Sequence, residues 1–557
     1  MNIVSPLTRE RAKYRPKLPR VFEERGMYVA VKPGASTKPY ADADEIKALF
    51  PQTLGAPVVT FQPSSTTKLR KVNVGVILSG GQAPGGHNVI AGLFDGLKAA
   101  DKGNKLYGFL GGPSGVVDGK YKELTSAIVD EFRNTGGFDI IGSGRTKIES
   151  IEQFEKTRAT LDALDIGALV IVGGDDSNTN AALLAEYFRE KKVAIQVIGV
   201  PKTIDGDLKN DHIGTSFGFD TAVKTYSELI GNICRDANSA KKYWHFIKLM
   251  GRSASHITLE AALQTHPNVV IISEEILARN FTLRDIADTI ARIVDTRAAQ
   301  GKNFGVVLVP EGLVEFVPEI RSLISDLNDV LAKEEEAIKA LPTLDAQAGL
   351  VQSKLGTAAA TVFGSLPASI QKQLLMDRDP HGNVQVSLIE TEKLLVELVA
   401  AVLKERKAEG TFKGTFSTQR HFFGYEGRCA APSNFDADYC YSLGYIAAAL
   451  VQAGLTGYMA SVKNLAAPAK KWVAGGVPLT AMMNMERRHG KSKPVIRKAL
   501  VDLEGTPFKE LAKYRDAWAL GEQYVNAGPI QYFGPPSVCD TTTITLVLEQ
   551  KKTRKRS

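Results

Sequence analysis

Leu169-Val170-Ile171-Val172-Gly173-Gly174-Asp175-Asp176-Ser177 decides the fold of this chain, read with a second stretch one helix further on. The second stretch is Ile195-Gln196-Val197-Ile198-Gly199-Val200-Pro201-Lys202-Thr203-Ile204-Asp205-Gly206-Asp207. Each is an apolar run that passes through glycine or proline into carboxylates. Such a run reads as a strand of an open α/β sheet. Ligands of open α/β sheets bind at the carboxyl ends of the strands. Both loops are therefore expected to face one crevice holding Asp175, Asp176, Asp205, Asp207, glycine amides and Lys202. That set suits a divalent metal and a phosphorylated ligand, with a carboxylate left to take a proton.

Working outward, the same unit recurs. Val72-Asn73-Val74-Gly75-Val76-Ile77-Leu78 runs into Ser79-Gly80-Gly81-Gln82-Ala83-Pro84-Gly85-Gly86-His87-Asn88 and a helix-like Val89 to Leu97. Further apolar runs end at Gly142-Ser143-Gly144-Arg145, Met250-Gly251-Arg252, Ser273-Glu274-Glu275 and Pro310-Glu311-Gly312. Strand, ligand-type loop and helix in repetition predict a doubly wound α/β fold. From about 313 to 410 the period changes. Leu388, Leu395, Val399 and Val402 recur at helical spacing, which predicts a helical insertion whose apolar stripe is core or subunit contact. Residues 1–70 carry Pro6, Pro16, Pro19, Pro33 and Pro39 and read as an extension without long regular elements. Gln62 to Thr67 reads as a linker.

At 557 residues the chain has room for more than one domain, and 44% hydrophobic with 23% charged residues is a globular composition. Cys234, Cys429, Cys440 and Cys539 have no CxxC spacing, so neither a zinc site nor a disulfide framework is expected. Unpaired thiols fit a reducing, cytoplasmic setting. The net charge of +8 fits anionic small substrates. Its basic residues are scattered except in the tail Lys551-Lys552-Thr553-Arg554-Lys555-Arg556, which reads as a solvated end rather than a nucleic-acid surface. No apolar stretch reaches the length of a membrane span.

The loops each have an ordinary and a chemical reading. The Gly80–Gly86 loop opens a helix, where amides and dipole favour an anion. It is neither GxxxxGK[ST] nor GxGxxG, so the P-loop and dinucleotide fingerprints are absent. Asp175 or Asp176 could cap a helix starting near Asn178, but two adjacent aspartates after two glycines ask for a cation. Asp175 is the candidate ligand for magnesium, which takes one or two carboxylates plus phosphate oxygens. Asp205 is either bonded to backbone amides or a general base for phosphoryl transfer. Lys202 is the expected buried counter-charge.

These loops, with Met250-Gly251-Arg252, Pro310-Glu311-Gly312 and Gly424-Tyr425-Glu426-Gly427-Arg428, follow one another in the order seen in phosphofructokinases. From about Asn73 to about Gly534 the chain resembles the long, pyrophosphate-dependent type of that family, including the plant catalytic β subunits. The resemblance implies a base at Asp205 for the sugar 1-hydroxyl, flanked by Thr203, Ile204 and Asp207. It implies magnesium at Asp175 and pyrophosphate at Gly81, Arg145, Asp176 and Lys202. It assigns fructose 6-phosphate to Met250, Gly251, Arg252, Glu311, Tyr425, Glu426, Gly427 and Arg428. Lys242 and Tyr243 match a pair that reaches a neighbouring subunit's site, which implies at least a homodimer or homotetramer. ATP-dependent relatives usually carry glycine at the positions of Asp176 and Lys202. A carboxylate at 176 repels the α-phosphate of ATP, and a lysine at 202 pairs with pyrophosphate.

The resulting expectation is an α/β protein of two doubly wound, phosphofructokinase-like lobes with a helical insertion and an N-terminal extension. The donor lobe is expected at 71–214 with a return segment at about 431–520. The sugar-phosphate lobe is expected at 215–430, and 521–557 form a C-terminal segment and basic tail. The expected activity is reversible phosphoryl transfer from pyrophosphate to fructose 6-phosphate with magnesium, by a cytoplasmic enzyme with small-molecule partners. The alternatives are an ATP-dependent phosphofructokinase, a non-catalytic regulatory subunit like the plant α partner, and a nicotinamide-dinucleotide kinase sharing the Gly-Gly-Asp loop.

Overall fold

The strand runs quoted above lie side by side in the computed structural model, which describes residues 6–376, 384, 389–488, 491–530 and 542–554. Leu388, Cys539 and the tail residues Lys555 and Arg556 lie outside the described residues. The chain divides into two compact units. The first holds Met1–Thr225, Tyr425–Ala499 and Ile530–Ser557; the second holds Tyr226–Gly424 and Leu500–Pro529.

Strands β1 (Val29–Ser36), β2 (Pro57–Pro63), β3 (Asn73–Leu78), β4 (Leu106–Phe109), β5 (Tyr121–Glu123), β6 (Ile166–Gly173) and β7 (Gln196–Pro201) belong to the first unit. Strands β8 (Trp244–Leu249), β9 (Val269–Val270), β10 (Gly305–Pro310) and β11 (Thr418–Phe423) belong to the second. Strands β12 (Tyr458–Lys463), β13 (Val473–Pro478), β14 (Met483–Arg488) and β15 (Lys491–Ile496) return to the first.

The first unit's sheet runs β1-β2-β13-β12-β7-β6-β3-β4-β5. Its five inner strands, β12 to β4, are mutually parallel. Every residue of β7 is buried, as is almost all of β6, which is why these runs show no alternation. One face packs Ile77, Leu169, Ile171 and Val197 with residues of the helices Ile151–Ala163 and Asp175–Glu190. From β3 the chain crosses to β4 on one side, then returns to β6 on the other. The carboxyl ends of β3 and β6 thus flank a switch point, the usual ligand crevice of such sheets.

The N-terminal extension is part of this sheet. Strand β2 pairs with β13 and carries β1 as the outermost strand. The prolines are tolerated because Pro33 sits on that edge strand and Pro57 and Pro63 at strand ends, where a missing N–H is harmless. The return segment runs Tyr425–Ala499 rather than about 431–520, so the short helix Tyr425–Cys429 that carries Arg428 belongs to the first unit. Residues 500–529 join the second unit because its polar groups hold them. Asn268 donates to the Trp518 carbonyl at 3.0 Å, and Arg515 meets Glu275 at 2.6 Å.

The second unit is a parallel sheet of order β11-β8-β10-β9. The insertion forms helices from Leu313–Phe316 to Thr391–Ala408. Leu395, Val399 and Val402 are buried in one apolar core with Trp244, Phe246 and Val309 of the sheet. The stripe is therefore core. Among the described residues no helix is long and apolar enough to cross a membrane.

Candidate active site

Parallel pairing puts the loops after β3, β6 and β7 at one sheet edge, as the sequence predicts. They are pinned there by the backbone. The Gly80 N–H donates to the Gly144 carbonyl at 2.8 Å, tying the glycine loop to the Gly142–Arg145 turn. The Lys202 N–H donates to the Gly173 carbonyl at 2.9 Å, tying the two acidic loops together.

Three cations converge on Gly80 and Gly81. A Cβ at Gly80, where φ is +81°, would stand 3.1 Å from Lys202 Nζ. A Cβ at Gly81 would stand 3.1 Å from an Arg428 guanidinium nitrogen and 3.6 Å from one of Arg145. Any other residue would fill the space that these cations surround. Arg428 also donates to the Gln82 carbonyl at 3.1 Å and lies 3.6 Å from Asp205 Oδ1. Amide-rich backbone, no side chain and three positive groups together make an anion cradle.

The carboxylates lie beside the cradle. Lys202 is only 5% exposed. Burial pushes its pKa down to about 8, Arg428 pushes the same way, and Asp205 opposes. Lys202 is thus buried, and at neutral pH it is charged. Asp207 is equally buried, and its pKa is pushed up to about 7 by burial and then by Asp205, with Lys498 opposing. Asp205 Oδ1 is buried and accepts no hydrogen bond within the described chain. The Asp205 N–H is instead bonded by the Thr203 hydroxyl oxygen at 3.1 Å.

The helix after β6 begins at Asp175 itself, with Gly174 as N-cap and no side-chain cap. Neither aspartate is a cap. Both occupy the first turn, where the dipole favours a carboxylate by about 0.3–1 kcal/mol. They part company there. Asp175 Oδ2 lies 3.6 Å from Lys498 Nζ, and its carboxylate acts electrostatically on both Lys202 and Asp207. Asp176 is half-exposed and lies 3.8 Å from Lys147. The counter-charges acting on Lys202 are Asp205 and Asp175.

This donor set fits magnesium. Among the described residues no three His, Cys, Asp or Glu groups form a cage. Magnesium asks for none, since one or two carboxylates complete its shell with waters and phosphate oxygens. Asp175, in the first turn of its helix with one oxygen buried, is a carboxylate of that kind.

The second unit brings together another part of the predicted set. Met250, Gly251 and Arg252 follow β8, and Glu311 follows its parallel neighbour β10. The Gly251 N–H donates to buried Glu311 Oε2 at 2.9 Å, with Gly251 at φ +124°. Arg252 is exposed and lies 3.9 Å from Glu315. Lys242 and Tyr243 precede β8, so a six-residue strand separates them from Met250, roughly 20 Å along the chain.

Lys498 and Lys147 went unnoticed in the sequence. Lys498 sits in no glycine-rich loop after an apolar run, so no local signal marks it. The signal that could have found Lys147 is its place two residues beyond Arg145 in a ligand-type turn.

Residues 73–451 match the phosphofructokinase family. The chain belongs to that family. It is 58% identical over 547 residues to the pyrophosphate–fructose 6-phosphate 1-phosphotransferase of Porphyromonas gingivalis, covering 98% of this chain and 99% of that one. It is 54% identical to the β subunit of the Solanum tuberosum enzyme of the same name, covering 91% and 88%. The crystal structure of the pyrophosphate-dependent phosphofructokinase from Marinobacter aquaeolei matches with a TM-score of 0.52 at 17% identity, covering 81% of this chain and 93% of that one. At that identity the likeness speaks for the fold.

Proposed function

We propose that this phosphofructokinase transfers a phosphoryl group reversibly between pyrophosphate and the 1-hydroxyl of fructose 6-phosphate. The observation that carries the reading is the cradle of Lys202, Arg145 and Arg428 around Gly80 and Gly81, with Asp205 at its rim. The activity named for these relatives supports the same donor and acceptor.

In this reading Asp205 takes the proton of the 1-hydroxyl. The sugar oxygen forms a bond to one phosphorus, and the bridging P–O bond breaks. The transition state spreads charge over phosphoryl oxygens, so catalysis rests on positioning and neutralisation. Lys202, Arg145 and Arg428 supply fixed positive charge, already in place before the donor arrives. Lys202 is charged below about pH 8 and neutralises the leaving phosphate. Asp175 would hold magnesium, which would supply further positive charge to the donor. Met250, Gly251, Arg252, Glu311, Thr203, Ile204 and Tyr425–Arg428 are assigned to the sugar phosphate. Glu311 accepts from Gly251 and so orders the loop that carries Arg252.

Lys242 and Tyr243, at the far end of β8 from Met250, fit contact with a second copy's site, and with it a homodimer or homotetramer. A cytoplasmic setting suits the unpaired Cys234, Cys429 and Cys440. The test uses purified chain, magnesium and fructose 6-phosphate, with pyrophosphate and ATP compared as donors. Turnover with pyrophosphate and little with ATP is expected. A preference for ATP would overturn the donor assignment, and inactivity of the isolated chain would favour a regulatory subunit.

A further inference from the structure

The return segment delivers a cation at each end. Near its start, Arg428 stands against Gly81. Near its end, Lys498 lies in none of the glycine or acidic loops, yet the backbone around it is anchored to them. The Ile496 N–H donates to Thr179 Oγ1 at 3.0 Å, on the second turn of the helix that starts at Asp175. The Arg497 N–H donates to the Met482 carbonyl at 3.0 Å, and the Ala499 N–H to the Asp207 carbonyl at 2.7 Å. Three consecutive bonds thus run the chain past the Asp175 turn and onto the Asp205–Asp207 loop.

From there the Lys498 side chain reaches Asp175, with Nζ 3.6 Å from Oδ2 and 30% of the side chain exposed. That distance is an ion pair without a hydrogen bond. A half-exposed pair of this kind contributes little to stability. Yet the ammonium is the charge that acts on Asp207 against Asp205 and Asp175. It stands on the Asp175 side of the site, while Lys202, Arg145 and Arg428 stand on the Gly80–Gly81 side. Pyrophosphate carries charge at both of its phosphates, and Lys202, Arg145 and Arg428 gather at Gly80–Gly81.

We propose that Lys498 is a donor-binding residue, which rests on the pyrophosphate reading above. The ammonium neutralises Asp175. Asp175 would hold a divalent cation, and the ammonium would turn from that carboxylate to pyrophosphate oxygens. The long, flexible lysine stem allows this change of partner while the 496–499 backbone stays fixed. The return segment then grips the donor from two sides, through Arg428 and Lys498.

The test is pyrophosphate binding to the full chain with magnesium and no sugar phosphate, by titration calorimetry, for wild type, Lys498→Met and Lys498→Arg. Loss of one charge-assisted bond predicts roughly tenfold weaker binding in Lys498→Met. Lys498→Arg should return to within about threefold of wild type. The Michaelis constant for fructose 6-phosphate should move by less than about twofold, because Lys498 does not serve that ligand. Unchanged pyrophosphate binding in Lys498→Met overturns the role. So does a lowered melting temperature with both Michaelis constants raised in parallel, which marks a merely structural pair. Failure of the wild-type chain to bind pyrophosphate overturns the donor assignment and this role with it; wild-type binding with no loss in the variant overturns the role alone.

Discussion

The two units hold their charged groups differently. In the first, Lys202 is buried, Arg428 donates to the Gln82 carbonyl, and Asp205 lies beside Arg428 with one oxygen unsatisfied. A buried ammonium among two guanidinium groups is strained, as its lowered pKa shows. Its neighbours surround the side-chain-free Gly80–Gly81 turn with positive charge. In the second, Glu311 is fixed to the Gly251 amide, but Arg252 is exposed and its closest acid is Glu315 at 3.9 Å. The first set is preorganised. The second fixes a carboxylate and leaves its cation to be ordered by the ligand. Fixed charge lowers a barrier because nothing reorganises during reaction, whereas a mobile arginine gives up rotamer entropy to bind.

The largest test of this contrast is Asp205→Asn. Turnover should fall about 100- to 10,000-fold, with fructose 6-phosphate binding nearly intact. Normal turnover with lost binding would show that the unsatisfied oxygen of Asp205 is not the base.

Next comes a matched pair of arginines. Arg428→Ala removes a fixed cation that touches the glycine loop and the base, so it should raise the Michaelis constants of both substrates and lower kcat. A charge-assisted bond is worth roughly 1.5–3 kcal/mol, or about 10- to 150-fold. Arg252→Ala should act on fructose 6-phosphate alone and by about tenfold or less, since part of its bond energy is spent on ordering. Equal effects from the two variants would erase the contrast between the units.

Asp176→Gly should have a smaller effect on pyrophosphate. Asp176 pairs with half-exposed Lys147, and such pairs are worth about 0.2–1 kcal/mol. Pyrophosphate use should therefore stay within about fivefold, while ATP use rises from a low base. Specificity constants for both donors, with Lys202→Gly and the double variant, complete the cycle. If ATP use stays undetectable, the carboxylate is not the block.

How much of this was legible in the sequence depends on where each signal lives. The parallel sheet and the Asp175, Lys202 and Asp205 loops were readable because buried strands are continuous apolar runs and ligand loops follow them. The helix start was misread by three residues, because Asp176 and Asp175 look like caps yet Gly174 fills that position. The prolines of the N-terminal extension hid β1 and β2, since proline is excluded from central strands but not from an edge. The stripe Leu395, Val399 and Val402 announced a buried face but not its partner, the sheet of the second unit. Lys498 was illegible, because a residue whose place depends on an antiparallel pair, β14 with β15, carries no local mark.

The last test is a pH dependence of stability that touches the loop-bearing elements of both units. His87 opens the helix after the glycine loop, and His245 lies in β8, which carries Met250. Both are pushed down to about 4, first by burial. Asp139 opposes the shift at His87, while His421 adds to it at His245. Each ring is therefore neutral in the fold at pH 5–7. In the unfolded chain each takes a proton near its ordinary pKa of 6.5. The unfolded state then binds more protons than the native state between about pH 6.5 and 4. Stability must fall as pH drops through that window and stay level above it. At pH 6 each ring contributes a loss on the order of 1 kcal/mol, growing as pH falls toward 4. Melting from pH 7.5 to 5 of wild type, His87→Gln and His245→Gln checks this. Each variant should melt lower at pH 7.5 but with a shallower slope on acidification, because one source of proton uptake is gone. A variant whose slope matches wild type would show that its imidazole is already protonated in the fold. If only one variant flattens the slope, acid acts through one of the loop-bearing elements and not both.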